Sequence, residues 1–175
     1  MTMGQQAHAE HLENDLLLAS GDGDQFLTFI LAGEEYGIDI LRVEEIRGWS
    51  KTTPIPNAPS YLKGVINLRG TIVPIVDLRE RFHLEHLDYG PTTVVIVVRV
   101  QTERQGRVMG IVVDAVSDVY KFKSIECQAP PEMGSNVDAR FVQGLATVDD
   151  KMVILLDIDR LLNMEALTEI LSSNA

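Results

Sequence analysis

Residues 61–82, YLKGVINLRGTIVPIVDLRERF, return in altered form as residues 141–162, FVQGLATVDDKMVILLDIDRLL, with no gap across the segment. Tyr61 aligns with Phe141, Gly64 with Gly144, Val73 with Val153, Asp77 with Asp157 and Phe82 with Leu162. Few identities survive, but the apolar pattern does. An internal repeat of this kind constrains the fold more than any single motif, because each copy must supply an equivalent structural unit. A second match lies upstream, where GIDILRVEEI from Gly37 aligns with GIVVDAVSDV from Gly110, pairing Ile40 with Val113, Val43 with Val116 and Ile46 with Val119. The spacing between the two matches differs, as surface loops of unequal length allow. One copy runs from about Phe26 to Phe82 and the other from about Thr93 to Leu162.

Within the first copy, FLTFILAG and EYGIDI read as strands around a Gly-Glu-Glu turn, and VEEIRGW continues in extended form. TTPIPNAPSYL cannot hold a ladder, since Pro54, Pro56 and Pro59 each lack a backbone donor, so it reads as an irregular surface connection. GVINL and TIVPIV then form a hairpin about Arg69-Gly70, where glycine accepts the positive φ of a tight turn. The second copy repeats the scheme with TVVIVVRV, VMGIVVDAV, VSDVYKF, GLATV and MVILLDI, and Asp149-Asp150 stands where the first has Arg69-Gly70. The reading is therefore all-β, with a closing amphipathic helix carried by Leu161, Leu162, Ala166, Leu167, Ile170 and Leu171. Small barrels are the natural way for such strands to lose their exposed edges. The expected division is an acidic N-terminal tail over 1–25, one barrel over 26–83, a polar connection over 84–92, a second barrel over 93–156 and the helix over 157–172.

Charge and composition narrow the function. At 175 residues the chain is long enough to bury roughly two thirds of its unfolded surface. With 45% hydrophobic residues, yet no apolar run near the length of a bilayer span, it reads as soluble. The net charge of -11 opposes nucleic acid and anionic membrane surfaces, leaving proteins or small molecules as partners. Glu10, Glu13, Asp15, Asp22 and Asp24 precede Gln25 with no Lys or Arg among them, which suits a solvated tail rather than a signal peptide. The single Cys127 excludes an internal disulfide and suits the cytoplasm.

Catalytic and cofactor signatures fail. There is no phosphate-binding loop, dinucleotide fingerprint, H-E-x-x-H or nucleophile elbow. His8 with His11 and His83 with His86 have ligand-like spacing but lie in charged, polar stretches, so no metal is expected. Asp77, Asp114 and Asp157 follow apolar strands, but Asp77 and Asp157 are copies of one position and read better as turn or helix caps than as a catalytic pair. Arg69 is more informative. An Arg at a hairpin tip offers five donors to a partner, and its counterpart in the other copy is an Asp.

With these residues in view, EEYGIDILRVEEIRG, YLKGVINLRGTIVPIVDLR and GIVVDAVSDV, in that order and spacing, resemble the core motifs of the CheW family of chemotaxis coupling proteins, from about Phe26 to the C-terminal helix. The resemblance implies a non-catalytic cytoplasmic adaptor without cofactors, built as two five-stranded SH3-like barrels. It would join chemoreceptor tips to the regulatory domain of the histidine kinase CheA in membrane-associated arrays. It implies a monomer in isolation that alternates with the kinase domain in rings. Residue by residue, it assigns receptor contacts to Glu45 of the EIRG motif, Arg69 of NLRG and the apolar Val43, Ile46, Val94, Val95 and Val116. It assigns kinase contacts to Lys63 and Gly64, with Glu132 and Met133 in a second contact where the family commonly has an aromatic in place of Met133.

Two other readings stay open at this point. A CheV-like adaptor or a detached kinase regulatory domain would share the motifs, but no receiver or ATP-binding domain fits after Ala175. A small ligand-binding or hydrolytic barrel would instead use Asp77 and Asp157 in a cleft.

Overall fold

A computed structural model describes residues 24–101, 106–122, 127–128 and 139–162. The first copy forms β1 (Asp24–Leu31), β2 (Glu34–Asp39), β3 (Val43–Gly48), β4 (Leu62–Leu68) and β5 (Thr71–Asp77), followed by one helical turn, α1 (Leu78–Arg81). The second forms β6 (Val94–Gln101), β7 (Gly106–Val113), β8 (Ala115–Phe122), the two-residue β9 (Cys127–Gln128), β10 (Val142–Val148) and β11 (Lys151–Leu156), then α2 (Ile158–Leu162). The remainder of the expected C-terminal helix lies outside the described residues. Among those described, no helix is long and apolar enough to cross a membrane.

The turns follow local chemistry. Arg69 and Gly70 have φ of 52° and 88°, and Asp149 and Asp150 have φ of 48° and 64°, which is the two-residue geometry whose twist matches paired strands. The first hairpin turns at Ala32-Gly33 (φ 53° and 79°), one residue earlier than its Gly-Glu-Glu sequence suggested, so Glu34 and Glu35 belong to β2. The proline-rich connection is irregular apart from one bridge, in which Thr53 and Val65 exchange backbone hydrogen bonds of 2.9 Å.

The sheets do not follow the copies. One runs β8-β1-β2-β11-β10-β9 and the other β3-β6-β7-β5-β4. Hairpins β1/β2, β4/β5, β6/β7 and β10/β11 pair within a copy, but the pairings that join them, β1 to β8, β2 to β11, β3 to β6 and β5 to β7, all cross between copies. The expectation of one barrel from 26–83 and another from 93–156 is therefore corrected: the first sheet takes two strands from the first copy and four, counting the two-residue β9, from the second, and the other takes three from the first copy and two from the second. The cause is the link between the second and third strands of each copy. Ile40–Arg42 forms a 3-10 turn that carries the chain out of the first sheet, and Asp114 alone carries it out of the second.

Three apolar clusters hold this arrangement together. Phe26, Phe122, Ala146, Val153 and Leu155 fill the interior of the first sheet, and Val73, Ile75, Val95, Val97 and Val112 that of the second. The largest cluster, including Phe29, Ile38, Leu78, Phe82, Ile96, Ile111 and Leu161, lies between the sheets. The repeat reappears as packing. Gly37 of β2 sits opposite Leu155, and its equivalent Gly110 of β7 sits opposite Ile75. A Cβ on Gly110 would come within 2.6 Å of the Ile75 side chain and 2.9 Å of that of Val95, so the bare position makes room for these two core side chains, which would have to shift to admit a larger residue.

Two part-buried ion pairs lock one copy to the other. Arg79 donates to both oxygens of Asp114 at 2.7 Å, and Asp114 also accepts from the Ala32 N–H. Arg42 donates to both oxygens of Asp159 at 3.0 and 2.6 Å, and Asp159 also accepts from the Gln101 N–H. The first is the more buried, its side chains being 15% and 19% exposed. Burial alone would raise the Asp114 pKa, but the Arg79 hydrogen bonds, the Ala32 N–H and the Arg79 charge outweigh it and hold the carboxyl below the usual aspartate range. A depressed folded pKa gives stability that is present above the unfolded value and lost as pH falls through the folded one. Asp114→Asn is accordingly expected to cost about 2–3 kcal/mol near neutral pH, read by urea unfolding, and progressively less below about pH 4.

Candidate partner-binding surfaces

Strand β3 is an edge strand, and its two faces carry different chemistry. Val43, Ile46 and Gly48 sit opposite Val98, Ile96 and Val94, so they share the face that looks into the layer between the sheets. Val43 and Val94 pack against that core while remaining partly accessible, and Ile46 is 45% exposed at its margin. Val116 of β8, the counterpart of Val43, lies opposite Phe29 and packs on the same core from the other sheet, with Val119 beside it. These four expected contact residues thus border one apolar layer. Val95 does not. It is 2% exposed and points into the second barrel with Val73 and Val97, so its assignment as a surface contact is corrected. The run VVIVV is apolar on both faces, and adjacent residues point oppositely.

Glu45 sits opposite Val97, on the other face of β3 from Ile46. There the Arg69 guanidinium donates to its carboxylate at 3.1 Å, bringing together β3 and the β4–β5 tip, which lie at opposite edges of the second sheet. The tip is set by its backbone, with the Asn67 side chain accepting from the Gly70 N–H at 2.8 Å. Arg69 is 75% exposed, so the pair contributes little to stability and stays available to a partner. A second pair that the sequence reading missed, Arg99 to Glu44 at 2.7 Å, flanks it on β6 and β3. In the other barrel the corresponding tip is acidic. The Tyr120 hydroxyl is pushed up by burial, then by the charges of Asp118, Glu35 and Asp149, which marks the convergence of carboxylates at that end.

Lys63 and Gly64 have strong local explanations. The Lys63 ammonium lies 2.6 Å from a Glu80 carboxylate oxygen on α1. Gly64 has φ of 134°, and a Cβ there would fall 2.2 Å from the Thr53 carbonyl oxygen. Glu132 and Met133 lie outside the described residues. Asp77 caps α1 through the Arg79 and Glu80 N–H groups, and Asp157 accepts from the Asp159 and Arg160 N–H groups in the same way, as expected for capping carboxylates. Among the described residues no group of three His, Cys, Asp or Glu is placed to hold a metal ion. Ile72 and Met152, 57% and 53% exposed beside the two tips, were also missed. Their signal was the repeat itself, which keeps an apolar residue at equivalent positions next to a turn.

Comparison with known proteins agrees with this architecture. Residues 25–166 match the CheW-like domain. The chain is 46% identical over 143 residues to the chemotaxis protein CheW of Klebsiella aerogenes, covering 82% of this chain and 84% of that protein. It is 35% identical over 151 residues to the chemotaxis protein CheW of Rhizobium meliloti, covering 86% and 90%. The crystal structure of the scaffolding protein TtCheW from Thermoanaerobacter tengcongensis superposes with a TM-score of 0.74 at 34% identity, covering 82% of this chain and 94% of that one. With its repeat, its paired barrels and these relatives in agreement, the chain belongs to the CheW-like family of chemotaxis proteins.

Proposed function

We propose that the chain is a non-catalytic cytoplasmic adaptor that joins the cytoplasmic tips of chemoreceptors to a CheA-type histidine kinase and so brings the kinase under receptor control. The observation that carries this reading is the double character of β3. Ile46, with Val43, Val94 and Val116, borders an apolar layer of the kind that accepts the exposed stripe of a helix, and a receptor tip is a helical hairpin. On the other face, Glu45 and Arg69 supply charges that select register rather than affinity. A partner touching both faces grips the edge strand from two sides.

The kinase contact falls to the Lys63 region and to Glu132 and Met133. Lys63 is drawn toward Glu80 and about a quarter exposed, so it acts as an edge charge rather than an anchor. Met133 would fill an apolar pocket with a flexible side chain where the family uses a ring. Co-sedimentation of the purified chain with receptor signalling fragments, with and without the kinase, tests the two contacts separately. The reading expects the chain to pellet with receptor fragments alone and to carry the kinase down when both are present. A chain that stays in the supernatant in both mixtures is not this adaptor.

A further inference from the structure

Within either copy, pairing holds little together. The β1/β2 and β4/β5 hairpins of the first copy lie in different sheets, and β3 finds its ladder partner in β6 of the second. In the second copy β8 finds its partner in β1 of the first, and Arg79 to Asp114 and Arg42 to Asp159 both run from copy to copy. Each copy is an incomplete unit whose complement is the other.

The covalent link between them is slight by comparison. After α1 the chain stays on its own copy: the Tyr89 hydroxyl donates to the buried Asp77 carboxylate, and its ring packs on Trp49 with centroids 4.2 Å apart. Only the turn Gly90–Thr93 then leads into β6. It is closed by the Thr93 N–H to the Gly90 carbonyl at 3.1 Å and the Gly90 N–H to the Thr93 hydroxyl at 2.8 Å. If that turn extends, every pairing between copies can be remade, unchanged, between a first copy from one molecule and a second copy from another.

We propose that this chain exchanges copies with a second molecule of itself about the Gly90–Thr93 turn, giving a dimer with two complete barrel pairs. In the dimer Ile46 and Val94 of each partner-binding edge come from different chains, so each edge is shared and the assembly is bivalent. That consequence rests on the adaptor reading; the exchange itself does not. A short link holds the copies of one chain at an effective concentration on the order of 1 mM, so the closed monomer dominates dilute solutions and exchange follows local crowding.

The test uses full-length chains, one isotopically labelled and one not, unfolded together in urea, refolded at about 1 mM, near the effective concentration of the link, then diluted and examined by native mass spectrometry. The expected result is a folded dimer containing one chain of each kind, in the statistical ratio. It should survive dilution because separation requires opening the β3/β6 and β1/β8 ladders. In a second arm, Ile46→Asp and Val94→Asp chains, each silent toward receptor fragments alone, recover binding when refolded together. Tyr89→Ala, which frees the segment before the turn, should increase the mixed dimer. Absence of any mixed dimer from both the wild-type chain and Tyr89→Ala would overturn the proposal. A mixed dimer that never binds receptor fragments, from wild-type chains or from the lesioned pair, would leave the exchange standing and remove the adaptor reading.

Discussion

Gly64→Ala is expected to destabilise the fold by about 4 kcal/mol, roughly the sum of left-handed strain and an unrelieved clash. The backbone at Gly64 has φ of 134°, a region that L side chains rarely adopt, and the added Cβ would sit 2.2 Å from the Thr53 carbonyl oxygen. That oxygen cannot swing aside, because it accepts the 2.9 Å hydrogen bond from the Val65 N–H that ties the proline-rich connection to β4. Gly70→Ala provides the comparison. Its φ is 88° but nothing lies within 4 Å of the added carbon, so only strain remains, about 1–2 kcal/mol. Urea unfolding of the two variants should separate them by at least about 2 kcal/mol, the share assigned to the clash. Equal midpoints would show that Thr53 yields and that the clash does not explain the glycine at position 64. If the gap appears, loss of kinase binding in Gly64 variants reports unfolding rather than a lost contact.

Arg69→Glu is expected to abolish receptor-dependent kinase activation while leaving thermal unfolding nearly unchanged. The guanidinium is largely exposed and its bond to Glu45 is a surface pair, so folding loses little. Recognition loses more, since the substitution replaces attraction by repulsion between residues 45 and 69 and adds an acidic tip to a chain already at -11. The tip backbone tolerates the change because Arg69 already holds φ of 52° in a turn closed by Asn67. Melting and kinase activation must be measured on the same preparation. Activation that persists with normal melting would remove Arg69 from the receptor contact, and a collapse of both would make it structural.

What could be read from the amino-acid order was local. Strand alternation, the Arg69-Gly70 and Asp149-Asp150 turns, and the capping roles of Asp77 and Asp157 depend on neighbours within a few residues, and they appear where expected. Which strand lies beside which is set by contacts many residues apart. The repeat gave two equivalent units, but nothing in the alternation of VEEIRG distinguishes a strand that stays with its own hairpin from one that crosses to the other sheet. Val95 was misplaced for a related reason. In VVIVV, residues 94–98, every residue is as apolar as its neighbour, so the face of each Val is decided by the opposing strand and not by the pattern. Glu44 with Arg99 was hidden by distance along the chain, and the reason for Gly64 by a loop whose path its prolines left undefined.

The most direct measurement of the adaptor reading is kinase autophosphorylation followed by phosphate transfer, with a CheA-type kinase and receptor signalling fragments, in the presence and absence of this chain. The account predicts that kinase and receptor fragments together give little more phosphate than kinase alone, that adding the chain raises it severalfold, and that the rise needs all three components. Kinase activity that is the same with and without the chain, accompanied by no co-sedimentation of the chain with either partner, would contradict it.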